Sequence, residues 1–262
     1  MTGMNGSAMG AKGRDLPPEI EAFRHTQSVA RRAARRTFES LEEGVTERDA
    51  AAALERELRA EGIRCWLHKP FAWFGDRTCF NGFNKSTDFL PSRRKLKKND
   101  AVILDTGPAI DGFPCDYALS TAFGENAEVA AMKACADSFM ESIVRRLDRD
   151  RRASSIVLSV NAEIEQKGYD VRHRKYPFRV LGHKLDRFAF GDRLAVGFKF
   201  QLPFFLMTAA QLYRGEDPVL NEHTRKLIEG VWAIEPHLGN ERVGAKFEEL
   251  LWVHKDGAEW LL

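Results

Sequence analysis

The sequence predicts an α+β fold, because segments with helical and strand patterning come in separate blocks rather than in strict alternation. Two helical segments precede a group of strands in the first half of the chain, and the same order returns in the second half. The chain has 262 residues, of which 44% are hydrophobic, so it is long enough to bury a substantial core. We therefore expect two structurally similar halves, although no sequence repeat relates them.

Two helices open the chain. Pro17 and Pro18 begin the first of them, since proline lacks only an N–H group that would have no partner in the first turn. Thr46, followed three residues later by Asp49, predicts the start of the second helix, and Gly62 ends it. Both predictions depend on local capping chemistry alone.

Composition excludes several classes of protein. Residues 1–16 are small, polar and rich in glycine, without a secretory hydrophobic stretch, and we expect a flexible tail before a single domain over residues 17–262. No apolar run approaches the roughly 18 residues of a membrane span. Lysine and arginine number 40 against 38 acidic residues, so we expect no nucleic-acid partner. The four cysteines form no C-x-x-C pair, which indicates a cytoplasmic protein.

Two aspartates are placed together by a predicted hairpin in the first half. The aromatic-rich residues 65–74 form one predicted strand, and the apolar run that ends in Asp105 forms another. An Asp-Gly pair at Asp111 predicts a two-residue turn. This turn places Asp105 opposite Ala118 and puts Asp116 on the same face, about 7–8 Å away at the backbone. The two carboxylates could converge on a cation, without which they would repel each other.

The second half places two glutamates in the same way. An amphipathic helix over about 126–148 is followed by a second helix and then by two strand-like segments. If Gly239 and Gly244 bound the loop between these strands, Glu235 and Glu248 are cross-strand partners on one face. The symmetry of the loop supports this register.

Four acids on the inner faces of apolar strands predict a metal site. A single acid could simply be an edge or turn residue, but burying a carboxylate is costly unless it is paired or metal-bound. Oxygen-rich sites suit Mn, Fe, Co or Zn, and a histidine would disfavour Ca and Mg. His183, after an apolar stretch, supplies such a ligand. We expect one or two divalent ions bound by Asp105, Asp116, His183, Glu235 and Glu248.

These five residues resemble the ligands of a known family. The chain resembles the metallopeptidases with the pita-bread fold, which include methionine aminopeptidases, aminopeptidase P, prolidase and creatinase, and whose ligands occur in the order Asp, Asp, His, Glu, Glu. The resemblance runs from about residue 20 to the end. The short connection between the two glutamates is more similar to prolidase and aminopeptidase P. The implied fold is α+β, with two pseudo-symmetric halves and helices packed outside a curved, mostly antiparallel sheet.

The resemblance implies a dinuclear hydrolase acting on a small peptide or amide substrate, and a homodimer is possible. Two ions about 3.5–4 Å apart would bind a bridging water and lower its pKa. Asp116 and Glu248 are implied to bridge the ions, and Glu235 to act both as ligand and as proton acceptor. His183 is implied to bind through one ring nitrogen, with the other held by an acceptor.

The chain departs from the family at two positions. Family peptidases carry one histidine on the loop before the first Asp and another shortly after the ligand histidine. Here no histidine lies between His68 and His173, where Asn81 and Asn84 are the nearest polar residues, and none lies in the stretch after His183. Because these histidines assist proton transfer in the family, we expect weak activity on standard aminopeptidase substrates.

The apolar stretch Leu194–Tyr213 has two interpretations. We favour a buried core segment or a dimer contact, and the alternative is a wall of an apolar substrate pocket. The resemblance suggests that the opposite wall includes Phe80 and a set of substrate-binding candidates. Those candidates are His68, Trp73, Phe74, Arg77, Asn81 and Asn84.

Two alternatives to a peptidase stay open. One is a metalloenzyme of the same fold with a non-peptide substrate, since the family includes an amidinohydrolase and lyases. The other is a binding protein that kept the fold and lost its activity. The complete ligand set argues against loss of activity, and the missing histidines argue against ordinary peptide cleavage.

Overall fold

The helices and strands follow the block order of the sequence. The computed structural model describes residues 16–149, 152–188, 202–225 and 229–262, so the expected tail lies outside the described residues except for its last position. The helices are α1 (Pro18–Glu39), α2 (Glu47–Ala60), α3 (Ala127–Arg149), α4 (Ala153–Gln166) and α5 (Leu202–Tyr213). The strands are β1 (Cys65–Phe74), β2 (Ala101–Ile110), β3 (Phe113–Pro114), β4 (Tyr117–Ala122), β5 (Asp170–Val171), β6 (Gly182–Leu185), β7 (Val219–Leu220), β8 (Gly230–Ile234), β9 (His237–Gly239), β10 (Gly244–Lys246), β11 (Glu249–His254) and β12 (Gly257–Trp260).

The first two helices begin as the sequence predicts. Helix α1 has proline in its first turn, with Glu19 and Glu21 beside the positive end of the helix dipole. The hydroxyl of Thr46 accepts a hydrogen bond from the backbone N–H of Asp49 at 3.2 Å, which caps α2. Both helices bury one apolar face against the first group of strands.

The first sheet holds the predicted Asp hairpin. Strand β2 pairs with β1 on one edge and with β3 and β4 on the other, and all of these pairs are antiparallel. Asp105 pairs with Ala118, so the predicted register is confirmed. Asp111 and Gly112 both have positive φ, which is the backbone geometry that an Asp-Gly turn favours.

The second half has one sheet in the order β12-β11-β8-β6-β7 and a smaller one in the order β10-β9-β5, again antiparallel. Gly244 pairs with Gly239, as predicted. Glu249 pairs with Ile234 in the same register, so Glu235 and Glu248 lie opposite each other between the two ladders. An isolated bridge from Ala118 to Glu248 joins the two halves at the strand ends that carry the acids.

Two large hydrophobic clusters form the core, and the first extends into the second half through residues such as Val231 and Leu250. Helices α1 and α2 pack on the first sheet, around core residues that include Phe23, Leu54 and Phe74. Helices α3 and α4 pack on the second-half strands, around Phe139 and Trp232. This arrangement of helices outside antiparallel sheets is the predicted fold class. Among the described residues, the helices are too short or too polar to cross a membrane.

The apolar stretch near residue 200 is only partly described, because residues 194–201 lie outside the described ranges. Its remainder is α5, which buries Met207 and Gln211 but leaves Leu212 57% exposed and Tyr213 94% exposed. The expectation of a core segment is therefore not met by this helix, which among the described residues buries only one face, and the favoured alternative of a dimer contact stays a prediction.

Candidate metal centre

The ends of strands from both halves bring the predicted acids together. Asp105 lies within β2, His183 lies within β6, and Asp116 precedes β4. Glu235 follows β8, held by a hydrogen bond from its N–H to the carbonyl of Leu181 at 2.8 Å. These side chains and Glu248 are all buried, although four of them are carboxylates.

Asp116 lies between two imidazoles. Its Oδ1 is 2.8 Å from Nε2 of His68, and its Oδ2 is 3.2 Å from Nε2 of His183. Burial alone would raise the pKa of Asp116, but the charge of His68 and the hydrogen bonds from both imidazoles hold that pKa well below its usual value. Asp116 is therefore ionised at neutral pH.

The two imidazoles differ in their second ring nitrogen. Nδ1 of His68 donates to the carbonyl of Lys69 at 3.0 Å. Nδ1 of His183 is buried without a hydrogen-bond partner among the described residues, so the expected acceptor is not found there. Burial opposes protonation of His68, but the charges of Asp116 and Asp105 outweigh it and raise the pKa of His68 to about 9.

Lys246 is a buried cation that the sequence analysis did not include among the site residues. Its Nζ lies 2.8 Å from Oδ2 of Asp105, 2.8 Å from Oε2 of Glu248 and 3.2 Å from Oε2 of Glu235. Burial would lower the pKa of Lys246, but these carboxylates raise it well above its usual value. Its spacing could have identified Lys246 as a site residue. Residues two apart on a strand share a face, and Lys246 precedes Glu248 by two positions.

Too little positive charge lies near the two glutamates to offset the cost of burying their carboxylates. Burial raises the pKa of Glu235, and burial together with the charge of Asp116 raises the pKa of Glu248 well above its usual value. Oε2 of Glu248 contacts Lys246 but has no hydrogen-bond partner among the described residues. Four buried carboxyl groups thus lie around one lysine and two imidazoles, those of His68 and His183.

The donor atoms fit divalent metal ions. His68, Asp105 and Asp116 each offer one ligand atom within 4.8 Å of the others, and so do Asp116, His183 and Glu248. Carboxylate oxygen and imidazole nitrogen suit Mn, Fe, Co and Zn. The unpartnered atoms of His183 and Glu248 point in the same direction. The residues present therefore fit the implied metal.

A cavity of about 90 Å³ opens over these residues. One wall is aromatic, with Phe71 stacked on Trp73 at 5.3 Å between ring centroids. The other wall includes Phe204 of α5, whose ring meets His183 edge to face at 4.9 Å. The apolar stretch thus contributes a wall of the cavity, as its alternative interpretation expected.

Two of the six substrate-binding candidates, His68 and Trp73, line the cavity. Phe74 points to the opposite side of β1 and is fully buried in the first-half core, because neighbouring side chains on a strand face opposite sides. Phe80, which was predicted to lie on the same wall, packs its ring edge to face against Trp73, with 4.9 Å between the ring centroids.

Three other candidates are occupied elsewhere. Arg77 binds the buried carboxylate of Glu47 at 2.8 Å. Asn81 donates to the carbonyl of Glu241 at 2.9 Å, and Asn84 is exposed and donates to the carbonyl of Gly82. None of these three residues lines the cavity, where the connection after β1 instead contributes Ser86 and Phe89.

Tyr176 and His237 were also missing from the sequence analysis. Tyr176 lines the cavity, and its ring centroid lies 5.0 Å from Nζ of Lys246. Its hydroxyl donates to Nδ1 of His237 at 3.0 Å, while Nε2–H of His237 donates to the carbonyl of Thr78 at 2.8 Å. Burial holds the pKa of His237 well below its usual value, so the ring accepts this hydrogen bond as a neutral imidazole.

Solved structures with the same architecture are known. An X-Pro aminopeptidase from Thermotoga maritima superposes with a TM-score of 0.71 at 20% identity, covering 93% of this chain and 60% of that one. A prolidase from Pyrococcus furiosus superposes with a TM-score of 0.70 at 19% identity, covering 94% of this chain and 64% of that one. A methionine aminopeptidase from Thermotoga maritima superposes with a TM-score of 0.65 at 17% identity, covering 94% of this chain and 97% of that one. At these identities the likeness shows the fold.

Sequence relatives cover less of the chain. An uncharacterized peptidase of Staphylococcus saprophyticus is 28% identical over 106 residues, which is 40% of this chain and 29% of that protein. Another, from Staphylococcus haemolyticus, is 29% identical over 112 residues, 43% of this chain and 30% of that one. The sequence model of metallopeptidase family M24, in contrast, matches residues 21–255. The chain that carries this cluster of acids and imidazoles is a member of metallopeptidase family M24.

Proposed function

We propose that this protein is a hydrolase that cleaves a peptide or other amide bond with water activated by one or two divalent ions. The observation that carries the proposal is the convergence of buried acids from both halves beneath an apolar cavity. The proposed metal ligands are Asp105, Asp116, His183, Glu235 and Glu248, within one domain over residues 17–262. We propose a cytoplasmic location because the sequence has only four scattered cysteines and no C-x-x-C pair, which is usual for proteins of a reducing compartment.

The bound ions would lower the pKa of a water molecule and polarise the scissile carbonyl. Glu235 would accept the proton of that water, and burial raises its pKa, which makes its carboxylate a better proton acceptor than that of an exposed glutamate. Lys246 contacts Glu235 at 3.2 Å and Asp105 at 2.8 Å, and would hold both carboxylates in place. Phe71, Trp73 and Phe204 would exclude bulk water.

The proposed substrate carries an apolar group beside the bond that is cleaved. The cavity walls are mainly aromatic, and their small enclosed volume suits a single apolar side chain or ring. Structural neighbours that are named X-Pro aminopeptidase and prolidase make Xaa-Pro peptides the first class to assay. The family's two histidines are absent, so we expect slow protonation of an ordinary amine leaving group and better turnover of activated amides or esters.

The absent histidines equally favour a second candidate function, hydrolysis or elimination on a non-peptide substrate such as an amidine. The ion pairs of Lys246 with three carboxylates favour a third, a protein without catalytic metal, because an internal ammonium partly neutralises the acids. These alternatives differ in metal content and in substrate class.

Metal analysis of the purified protein and a substrate panel separate the three candidates. We expect one or two equivalents of a transition metal after dialysis against Mn, Co, Fe or Zn, and hydrolysis of activated amides that Asp116→Asn abolishes. Asp137→Asn, at an exposed position of α3 that does not line the cavity, is the control. Turnover of amidines alone would favour the second candidate, and a protein that binds none of these ions would refute the metal-dependent proposal.

A further inference from the structure

His68 is a buried imidazole that faces the metal centre but lies outside the five-residue ligand set. Its Nε2 is 2.8 Å from Oδ1 of Asp116 and 3.5 Å from Oδ1 of Asp105. These donor atoms form a cluster as tight as that of Asp116, His183 and Glu248. The two clusters share Asp116.

The other ring nitrogen of His68 has a partner that suits a metal ligand. Nδ1–H donates to the carbonyl of Lys69 at 3.0 Å. In the neutral ring, this hydrogen bond leaves the lone pair on Nε2, directed at the two aspartates. A backbone carbonyl on the far nitrogen is the arrangement that orients metal-bound histidines.

The backbone around His68 is shaped to bring the ring to the acids. The register of β1 against β2 shifts on both sides of His68, between Trp66 and His68 and between His68 and Phe71. Such irregularities redirect a side chain beside a functional site. His68 pairs with Gly107, and a Cβ at that position would lie 2.8 Å from Cδ2 of the imidazole. A side chain there would displace the ring.

The carboxylate oxygens are divided between partners. Asp116 turns Oδ1 to His68 and Oδ2 to His183. Asp105 turns Oδ1 to His68 and Oδ2 to Lys246. Each aspartate therefore has an oxygen that faces Nε2 of His68.

We propose that His68 is a sixth metal ligand, which holds one divalent ion together with Asp105 and Asp116, while Asp116, His183 and Glu248 hold a second. The proposal rests on the metal centre of the proposed function. It gives each ion an imidazole, so both positions favour Zn, Co or Fe over Mn and Mg. His68 would then bind metal rather than substrate, which revises its predicted role.

The test is Co(II) and Zn(II) binding, measured by calorimetry and by X-ray absorption, which counts imidazoles per ion. We expect two ions with about one imidazole each in the wild-type protein. His68→Ala should weaken one of the two sites by at least about 100-fold, since loss of even an outer partner of a ligand costs 10–100-fold. His183→Ala should weaken the other site, and His25→Ala, on the exposed face of α1, should change neither.

A second variant keeps every ligand. Gly107→Ala should displace the ring of His68 and reduce affinity at the same site as His68→Ala, and the far-ultraviolet spectrum of each metal-free variant reports whether it folds. Two tight sites in His68→Ala, or half as many imidazoles per ion in the wild-type protein, would refute the sixth ligand and leave the metal centre intact. A wild-type protein that binds no ion would refute the proposed function itself.

Discussion

Glu47 and Glu248 are both buried carboxylates, yet their surroundings are opposite. Glu47 receives hydrogen bonds from the N–H of Phe74, from Nε of Arg77 and from the N–H and hydroxyl of Ser92, at 2.7–3.0 Å. Glu248 contacts the ammonium of Lys246 and has an oxygen with no hydrogen bond among the described residues. The protein can satisfy a buried structural acid with hydrogen-bond donors. The acids that lack such donors therefore support the proposed metal centre.

Removing the saturated acid should have the largest effect. Glu47→Ala leaves Arg77 and the N–H groups of Phe74 and Ser92 without their buried acceptor, and we expect a loss of about 3–5 kcal/mol of unfolding free energy. Urea unfolding of the metal-free protein measures it. Glu57→Ala, in the exposed pair with Arg36, is the control and should cost less than about 1 kcal/mol. Equal losses would mean that burial of Glu47 is unimportant.

Glu249 is an intermediate case, with one partner. It accepts a hydrogen bond from Arg31 at 2.7 Å, and burial raises its pKa to about 7. A raised pKa means that the neutral acid suits the folded state, so this contribution is complete below the unfolded pKa of about 4.5 and is lost as pH rises to about 7. The size is at most about 3.5 kcal/mol, since the pKa rises from 4.5 to about 7 and one pKa unit is about 1.4 kcal/mol.

The check is the pH dependence of stability in Glu249→Gln. Unfolding free energies of the chelated wild-type protein and the variant, measured from pH 4 to pH 8, should differ in slope mainly between pH 4.5 and 7, with the flatter curve in the variant. Glu128 is an acid near the surface whose pKa is lowered by Arg242. Glu128→Gln should leave the slope of the unfolding free energy between pH 4.5 and 7 unchanged. Parallel curves for wild type and Glu249→Gln would contradict the assignment.

Metal addition should stabilise the unsaturated acids. An ion that binds only the folded state adds about 2.7 kcal/mol at 100 times its Kd, so Mn or Co should raise Tm by several degrees after chelation. Glu248→Gln and Asp105→Ala should abolish that rise. Glu248→Gln should leave the chelated protein about as stable as before, whereas Asp105→Ala should destabilise it, because the buried ammonium of Lys246 loses a carboxylate 2.8 Å away. An unchanged Tm with every divalent ion up to millimolar concentrations would count against the metal centre.

The smallest effect concerns the apolar wall. Phe204→Ala removes the ring that meets His183, and we expect KM for an apolar activated amide to rise about 10-fold with little change in kcat, because uniform binding is lost. Leu212→Ala, on the exposed face of the same helix, should leave KM unchanged. A fall in kcat without a change in KM would instead place Phe204 in the chemical step.

Much of the acid arrangement follows from local pattern. The Asp-Gly turn and the two-residue period of a strand place Asp105 opposite Ala118. The symmetric loop between Gly239 and Gly244 places Glu235 opposite Glu248. These predictions succeed because a hairpin register depends on its turn, which is a local property of the chain.

The surroundings of the acids did not follow in the same way. Arg77, Asn81 and Asn84 are close to β1 in sequence but bind other partners, and Ser86 and Phe89 of the same connection line the cavity instead. His68 reaches the acids through irregular pairing of β1 with β2, and no sequence pattern indicates where a ladder slips.

The order of helices and strands, the two hairpin registers and the identity of the acids follow from the sequence, since these depend on capping, turns and strand period. The groups that surround the acids depend on how the two halves pack. Ala118 bridges to Glu248, and Lys246 contacts Asp105, so residues more than 100 positions apart in the chain meet at this site. Their charges interact because packing of the two halves excludes water, and that packing is a property of the whole chain.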